Sequence, residues 1–421
     1  MNVRITPTHL KGNVVVPPSK SLSHRAIIAA GLAEGKSIIS NVMYSKDIKA
    51  TIGAMRAIGA QIIEYDNYLE ITGSSVKRIN DIIDANESGS TIRFMIPIAI
   101  INSSKVKFIG KNNLCKRPLD PFFEIFDKQG IKYLHDEDYL PLEVEGALKP
   151  GEYFIRGDIS SQFITGLLYA LPLLDGDSVI NITTPMESKG YIDLTIDVLK
   201  LFGIEIINDN YEKFYVKGCQ KYKPCDYQVE GDFSQAAFFL VADMLGADIK
   251  LEAMNMSSHQ GDMKILDDVK DFGAKVTYDN GLLSLTNNEI RNAIIDFSQS
   301  PDLGPALTVL AALANGTSKF INASRLRIKE CDRITCMKEE IERLGGSIDE
   351  MDDGMIIYGV DRFHGGVVDS HNDHRVAMAL AMATLKMDGE LVIKNAEAIN
   401  KSFPHFFEVF ENLGGKISYE N

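Results

Sequence analysis

The chain has 421 residues, 45% of them hydrophobic and 24% charged, with 33 Gly and 14 Pro. At roughly 100–200 residues per domain this length implies two or three domains, and the composition excludes disorder, collagen-like repeats and coiled coil. With 44 Lys+Arg against 58 Asp+Glu the formal charge is -14, which excludes a chain that grips nucleic acid or anionic lipid through its general field. In chain order, VRITPTH and NVVVPP read as strands, and an apolar helix begins near Ala26. A turn and strand follow, then an amphipathic helix that ends in AIGAQI. Two more strands come next, in QIIEYDNYLEITG (61–73). The same order then recurs.

The motif apolar-x-Gly-x-x-apolar appears six times, at Gly59, Gly130, Gly203, Gly273, Gly345 and Gly414, about seventy residues apart. It predicts a helix closed by a glycine in a left-handed cap and followed by a strand. A second, more apolar helix also recurs six times, beginning near Ala26, Met95, Ile164, Ala236, Ala306 and Val376. Segments such as ALTVLAALA are apolar on nearly every face, which marks buried helices. The unit is strand, buried helix, strand, amphipathic helix, strand, strand: six βαβαββ repeats of an α/β (α+β) fold. The last copy, ending GGKISYEN, is one strand short, so the N-terminal segment is expected to complete it. That predicts two domains of three repeats each, residues 1–18 with 230–421 and an inserted 19–229.

Polar clusters stand at the starts of the buried helices, where free N–H groups and a partial positive charge suit phosphate and carboxylate. They are PSKSLSHR (18–25), ESGSTIR (87–93), GDISSQ (157–162), EGDFSQ (230–235), SPDLGP (300–305) and HNDHR (371–375). CKRPLD (115–120), ESKGYID (187–193), RIKECDR (327–333) and NKSFP (400–404) precede or open the amphipathic helices. Lys20, Arg25, Arg93, Arg117, Lys329, Arg333, Arg375 and Lys401, with Ser21, Ser160 and Ser161, make a receptor for more than one anionic group. Each charge taken singly also reads as a cap or solvated end of its own helix. Asp302, flanked by prolines and without an adjacent basic partner, and Glu330, between Lys329 and Arg333, are candidate acid/base carboxylates; Asp302 alone also reads as an N-cap. The residues by themselves describe an enzyme for small polyanions.

Several motifs are set aside. GLAEGKS (31–37) is one residue short of a P-loop and follows a helix instead of a strand. His371 and His374 have a spacing compatible with a metal, but no further His or Cys cluster joins them in sequence and Arg375 is adjacent, so no metal is expected. His24 reads as a packing or hydrogen-bonding residue, not a base. Cysteines at 115, 219, 225, 331 and 336 lack a CxxC pair and fit free thiols in a reducing cytosol. The N-terminus carries no signal-like apolar core, and no apolar stretch approaches ~18–20 residues, so a cytoplasmic protein without a membrane span is expected.

Taken in order, PPSKSLSHRA, ESGSTIR, KRPL, GDISSQF, EGDFSQAA, SPDLGPAL, RIKECDR, NDHRVAMA and KSFP resemble the 3-phosphoshikimate 1-carboxyvinyltransferase (EPSP synthase) family over essentially the whole chain. The resemblance implies a two-domain inside-out α/β barrel with the active site in the interdomain cleft. It also implies transfer of enolpyruvate from phosphoenolpyruvate to the 5-hydroxyl of shikimate 3-phosphate, by a monomer needing no metal or organic cofactor. For phosphoenolpyruvate it implies Lys20, Gly89, Arg117, Gln162, Arg333, Arg375 and Lys401. For shikimate 3-phosphate it implies Lys20, Ser21, Arg25, Ser160, Ser161, Gln162, Ser188, Asp302 and Lys329. Asp302, Glu330 and Lys20 are the implied catalytic groups, and Gly89 is expected to let backbone approach the ligand. His24, the ESGST segment with Glu87, and Arg325 depart from the commonest family pattern. The sister family acting on UDP-N-acetylglucosamine uses a Lys-Asn pair and a loop cysteine, where this chain has Lys20-Ser21 and Cys115 directly before KRPL.

Overall fold

The structure is a computed structural model that describes residues 1–77, 79–102 and 104–420. Its contacts divide the chain into two compact units, Met1–Pro17 with Glu230–Asn421, and Pro18–Val229. In the second unit the helices are α1 (Lys20–Leu32), α2 (Lys46–Ala57), α3 (Gly89–Ala99), α4 (Asp120–Gln129), α5 (Ser161–Ala170) and α6 (Lys189–Leu201). In the first they are α7 (Phe233–Met244), α8 (Ile265–Asp271), α9 (Gly304–Ala312), α10 (Arg333–Arg343), α11 (His374–Ala383) and α12 (Phe406–Asn412). The described residues form six four-stranded sheets, three in each unit. Every residue of α7, α9 and α11 is buried. Strands such as Thr317–Ile321 instead alternate exposed and buried side chains, so within a unit the odd-numbered helices lie inside and the sheets outside.

One repeat shows the logic. Strand Ile82–Asp84 pairs in parallel with Ser104–Ile109 across α3; the chain then runs through α4 into the antiparallel pair Lys132–His135 and Leu142–Gly146. The six motif glycines all have positive φ, from 70° at Gly130 to 108° at Gly59, as a left-handed helix closure requires.

Two expectations need correction. The strand Asn2–Thr6 does complete the last sheet, lying antiparallel between Met387–Lys394 and Lys416–Glu420. Lys11–Val15 does not belong there. It pairs in parallel with Asp248–Glu252 as the first strand of the fourth repeat. In the same way Tyr227–Gln228 supplies the first strand of repeat one, beside Gly35–Ser40. Each unit is therefore closed by a strand about two hundred residues from its partner, a relation that local pattern does not encode.

The buried helices also begin two to six residues earlier than their apolar runs, because polar side chains cap them. Ser19, Ser88, Ser160, Asp232 and Asp373 each accept from a backbone N–H in the first turn. The polar clusters thus run from the cap into the first turn of each helix. No helix among the described residues is long and apolar enough to cross a membrane.

Candidate active site

In the unit of residues 18–229, three helix starts carry the expected residues. Lys20 opens α1, and its Nζ lies 2.9 Å from Asp47 Oδ2 in the first turn of α2. Asp47 is a buried partner that stands in the first turn of α2, two residues after its Ser45 cap. Arg25 is also buried: Nε donates to Thr195 Oγ1, Nη1 to the Ser21 carbonyl and Nη2 to the Tyr191 carbonyl, each at 2.9 Å. It clamps α1 to α6, which leaves only the second hydrogens of its two Nη groups for a ligand. His24 bonds Thr51 Oγ1, which bonds Thr91 Oγ1, which donates to Ser88 Oγ, a buried chain joining α1, α2 and α3. Burial, reinforced by Lys20 and Arg25, holds the His24 pKa well below the usual histidine range. His24 is therefore a neutral structural residue, as expected.

Helix α5 crosses α3 closely at Gly166, where a Cβ would stand 2.3 Å from the Arg93 carbonyl oxygen. That approach brings Gln162 beside Arg93: the Arg93 guanidinium donates to Gln162 Oε1 at 2.8 Å, and Gln162 Nε2 donates to Ser90 Oγ at 3.0 Å. Both ends of the amide are fixed, so Arg93 is a positioning residue that the family pattern did not single out. Ser160 caps α5 and Ser161 opens it. Ser188, fully buried before α6, holds a left-handed backbone at φ 53°, uncommon for a residue with a side chain.

Gly89 opens α3, and here the structure changes its expected role. A Cβ would stand 2.6 Å from Arg117 Nη1 and 2.9 Å from its Cζ. The glycine makes room for a protein side chain first. Among the described residues the Arg117 side chain has no hydrogen-bond or ion-pair partner, and its Nε is buried. A cation without a counter-charge thus rests on the positive end of a helix, an arrangement that favours an anion.

The unit of residues 1–17 and 230–421 gathers the candidate acid/base groups. Arg333, 1% exposed at the start of α10, donates from Nε to Asp373 Oδ2 at 2.8 Å, from Nη1 to Asp302 Oδ1 at 2.9 Å and from Nη2 to Glu330 Oε2 at 2.8 Å. Burial opposes its charge, but Asp373, Glu330 and Asp302 together hold the guanidinium well above the usual arginine range. Asp302 is not isolated, as its sequence neighbours imply. It also meets Lys329 Nζ at 3.2 Å and Arg375 Nη2 at 3.3 Å. Lys329 and Arg333 stand at the second helix of the same repeat and Arg375 at the buried helix of the next, so no pattern local to Asp302 announces them.

Burial pushes the Lys329 ammonium down to about 8; Asp302 works against that fall, while Arg325 and Arg333 add to it. Arg375 also donates to Ser234 Oγ at 3.0 Å, and buried Lys401 donates to the Asn372 carbonyl at 2.7 Å. Asp373, reached in sequence only as part of NDHR, proves the anchor of the cluster: it is fully buried, caps α11 and orients Arg333. His371 and His374 do not converge. His374 lies 3.8 Å from Asp373, whereas His371 is gathered with Glu339, Glu340 and the Cys336 thiol. A cysteine does join one of the two histidines, but only in three dimensions.

Cations at the starts of helices, with three carboxylates fixed on one guanidinium, suit an enzyme that binds small anions and moves protons. The sequence profile of EPSP synthase (3-phosphoshikimate 1-carboxyvinyltransferase) matches residues 5–410. A 3-phosphoshikimate 1-carboxyvinyltransferase of Clostridium novyi (strain NT) is 50% identical over 99% of this chain and 98% of its own length. That of Clostridioides difficile (strain 630) is 48% identical over 100% and 99%. The solved EPSP synthase of Acinetobacter baumannii superposes with a TM-score of 0.82 at 27% identity, covering 99% of this chain and all of that one. The chain belongs to the EPSP synthase family.

Proposed function

We propose that the chain transfers the enolpyruvyl group of phosphoenolpyruvate to the 5-hydroxyl of shikimate 3-phosphate, releasing phosphate, in the shikimate route to aromatic amino acids. The observation that carries the reading is the pair Asp302 and Glu330 held on the single buried guanidinium of Arg333. Addition to a vinyl double bond needs one group to take the hydroxyl proton and another to protonate the methylene carbon. Asp302 takes the proton from the 5-hydroxyl. Glu330, with Lys20 or Lys401, protonates the methylene, and the resulting ketal collapses as phosphate leaves. Arg333 holds both carboxylates in position, so positioning and electrostatics supply most of the acceleration.

Arg117 beside Gly89, with Lys20, Gln162, Arg333, Arg375 and Lys401, binds phosphoenolpyruvate. Lys20, Ser21, Arg25, Ser160, Ser161, Gln162, Ser188, Asp302 and Lys329 bind shikimate 3-phosphate. The enzyme acts as a cytoplasmic monomer without metal or organic cofactor. Incubation with phosphoenolpyruvate and either shikimate 3-phosphate or UDP-N-acetylglucosamine, with phosphate release as readout, tests the reading. Turnover of the nucleotide sugar but not of shikimate 3-phosphate would overturn it.

A further inference from the structure

The segment that carries Glu330 ends in a thiol pair for which enolpyruvyl transfer has no use. Asp332 caps α10, its carboxylate accepting from the Ile334 and Thr335 N–H groups. Cys331 therefore stands one residue before the cap and Cys336 at the fourth helical position. Those two positions face each other at a helix start and are commonly filled by a packed apolar pair. Here both are thiols, and each acts on the titration of the other as a near neighbour. Cys331 is half-buried, with its Sγ 3.7 Å from Asp373 Oδ2; Cys336 is 8% exposed.

Beside Cys336 stands His371, whose Nε2 lies 2.8 Å from Glu340 Oε1. Glu340 is itself buried and also accepts from the Asp369 N–H. Carboxylate, imidazole and thiol stand in the order that generates a thiolate: the acid holds the imidazolium, and the imidazolium stabilises the sulfur anion. Contacts with Cys336 and Glu340, against the effect of burial, raise the His371 pKa to about 10. The Cys336 thiol is lowered chiefly by its hydrogen bond with Cys331, against burial and with His371 adding to it. Cys331 is raised by the same hydrogen bond, by burial and by Asp373. One thiol is poised as the nucleophile and its neighbour as the partner that closes on it.

We propose that Cys331 and Cys336 form a peroxide-reactive dithiol at the edge of the Asp302–Glu330–Arg333 cluster. The Cys336 thiolate attacks one oxygen of hydrogen peroxide, forming a sulfenic acid. The other oxygen leaves as hydroxide and takes a proton from His371 to become water. Cys331, giving its proton to the departing hydroxyl, attacks the sulfenic sulfur; a disulfide forms and a second water leaves. Two thiols are oxidised by two electrons and one peroxide is reduced to two waters. The link draws Cys331 away from Asp373 and onto the first turn of α10. Glu330, the preceding residue, is pulled off Arg333. The expected loss of turnover rests on the reading of Glu330 as the proton donor; the disulfide itself does not.

The intact enzyme is treated with hydrogen peroxide, alkylated with iodoacetamide and digested with trypsin, which cuts after Lys329, Arg333 and Lys338. A disulfide appears as fragment 330–333 joined to fragment 334–338, and dithiothreitol separates them. Turnover falls on the order of a hundredfold, the scale of moving a reacting group by about 1 Å, and returns on reduction. Cys336→Ser keeps its turnover under peroxide and gives no joined fragment. Cys331→Ser stops at a sulfenic acid that dimedone traps on Cys336. If both thiols are still alkylated after peroxide has oxidised the exposed Cys219, the proposal fails. Joined fragments with unchanged turnover support the dithiol and sink the assignment of Glu330 instead.

Discussion

Replacing Gly89 by Ala isolates the contribution of Arg117. The added methyl would stand 2.6 Å from Arg117 Nη1, so the guanidinium must retreat by about 0.8 Å to restore an ordinary 3.4 Å contact. It can do so because it is the free end of a flexible side chain and has no ion-pair partner among the described residues. Gly89 does not have a positive φ, so alanine adds no backbone strain there. Folding should be unaffected, and an unchanged Tm is the control. For a bound anion about 4 Å from the guanidinium, 0.8 Å of extra distance at an effective dielectric of ~20 costs about 0.7 kcal/mol, or about threefold in affinity. Loss of a charge-assisted hydrogen bond raises the cost to about 1.5–3 kcal/mol, or roughly tenfold to a hundredfold. Steady-state phosphate release at varied phosphoenolpyruvate should show KM raised in that range, with KM for shikimate 3-phosphate little changed. An unchanged KM for phosphoenolpyruvate, or a rise confined to shikimate 3-phosphate, would refute the placement of Arg117 at the phosphoenolpyruvate site.

Three other outcomes follow from the same geometry. Asp302→Asn should lower turnover by about a hundredfold to ten-thousandfold while ligand binding, followed by calorimetry, stays largely intact; near-normal turnover removes Asp302 as the base. Lys329, with its pKa at about 8 against an ordinary 10.5, should lose its charge above pH 8. KM for shikimate 3-phosphate should then climb, and Lys329→Arg should abolish the climb. The unfolded chain holds more protons at this residue than the folded one between about pH 8 and 10.5. Its contribution to stability therefore rises with pH across that window. Arg25→Ala removes three hydrogen bonds of a buried guanidinium, two of which join α1 to α6. It should cost about 3 kcal/mol or more of stability, read by urea denaturation; a loss of substrate affinity without loss of stability would show that the clamp is not structural.

Much of this architecture is written locally. Apolar runs at helical spacing, closing glycines and β-branched strands act over a few residues, so six repeats and the six positive-φ glycines were legible without coordinates. So were the cations, because they cluster at helix starts where the backbone itself attracts anions. The helix starts lie ahead of the apolar runs, since polar caps such as Ser19 and Ser88 extend a helix beyond its apolar residues.

Only the tertiary structure decided who meets whom. Asp302 finds Arg333 and Arg375 at 31 and 73 residues' distance, and Arg333 finds Asp373 at 40. Gly89 proves to be a seat for Arg117, and Lys11–Val15 serves the fourth repeat instead of the sixth. Cys331 and Cys336 look like two scattered thiols until α10 sets them face to face with His371 behind. Repeat periodicity specifies each unit's elements through short-range forces. Which charge pairs with which depends on how the helices pack within and between repeats, and that information is spread over the whole chain.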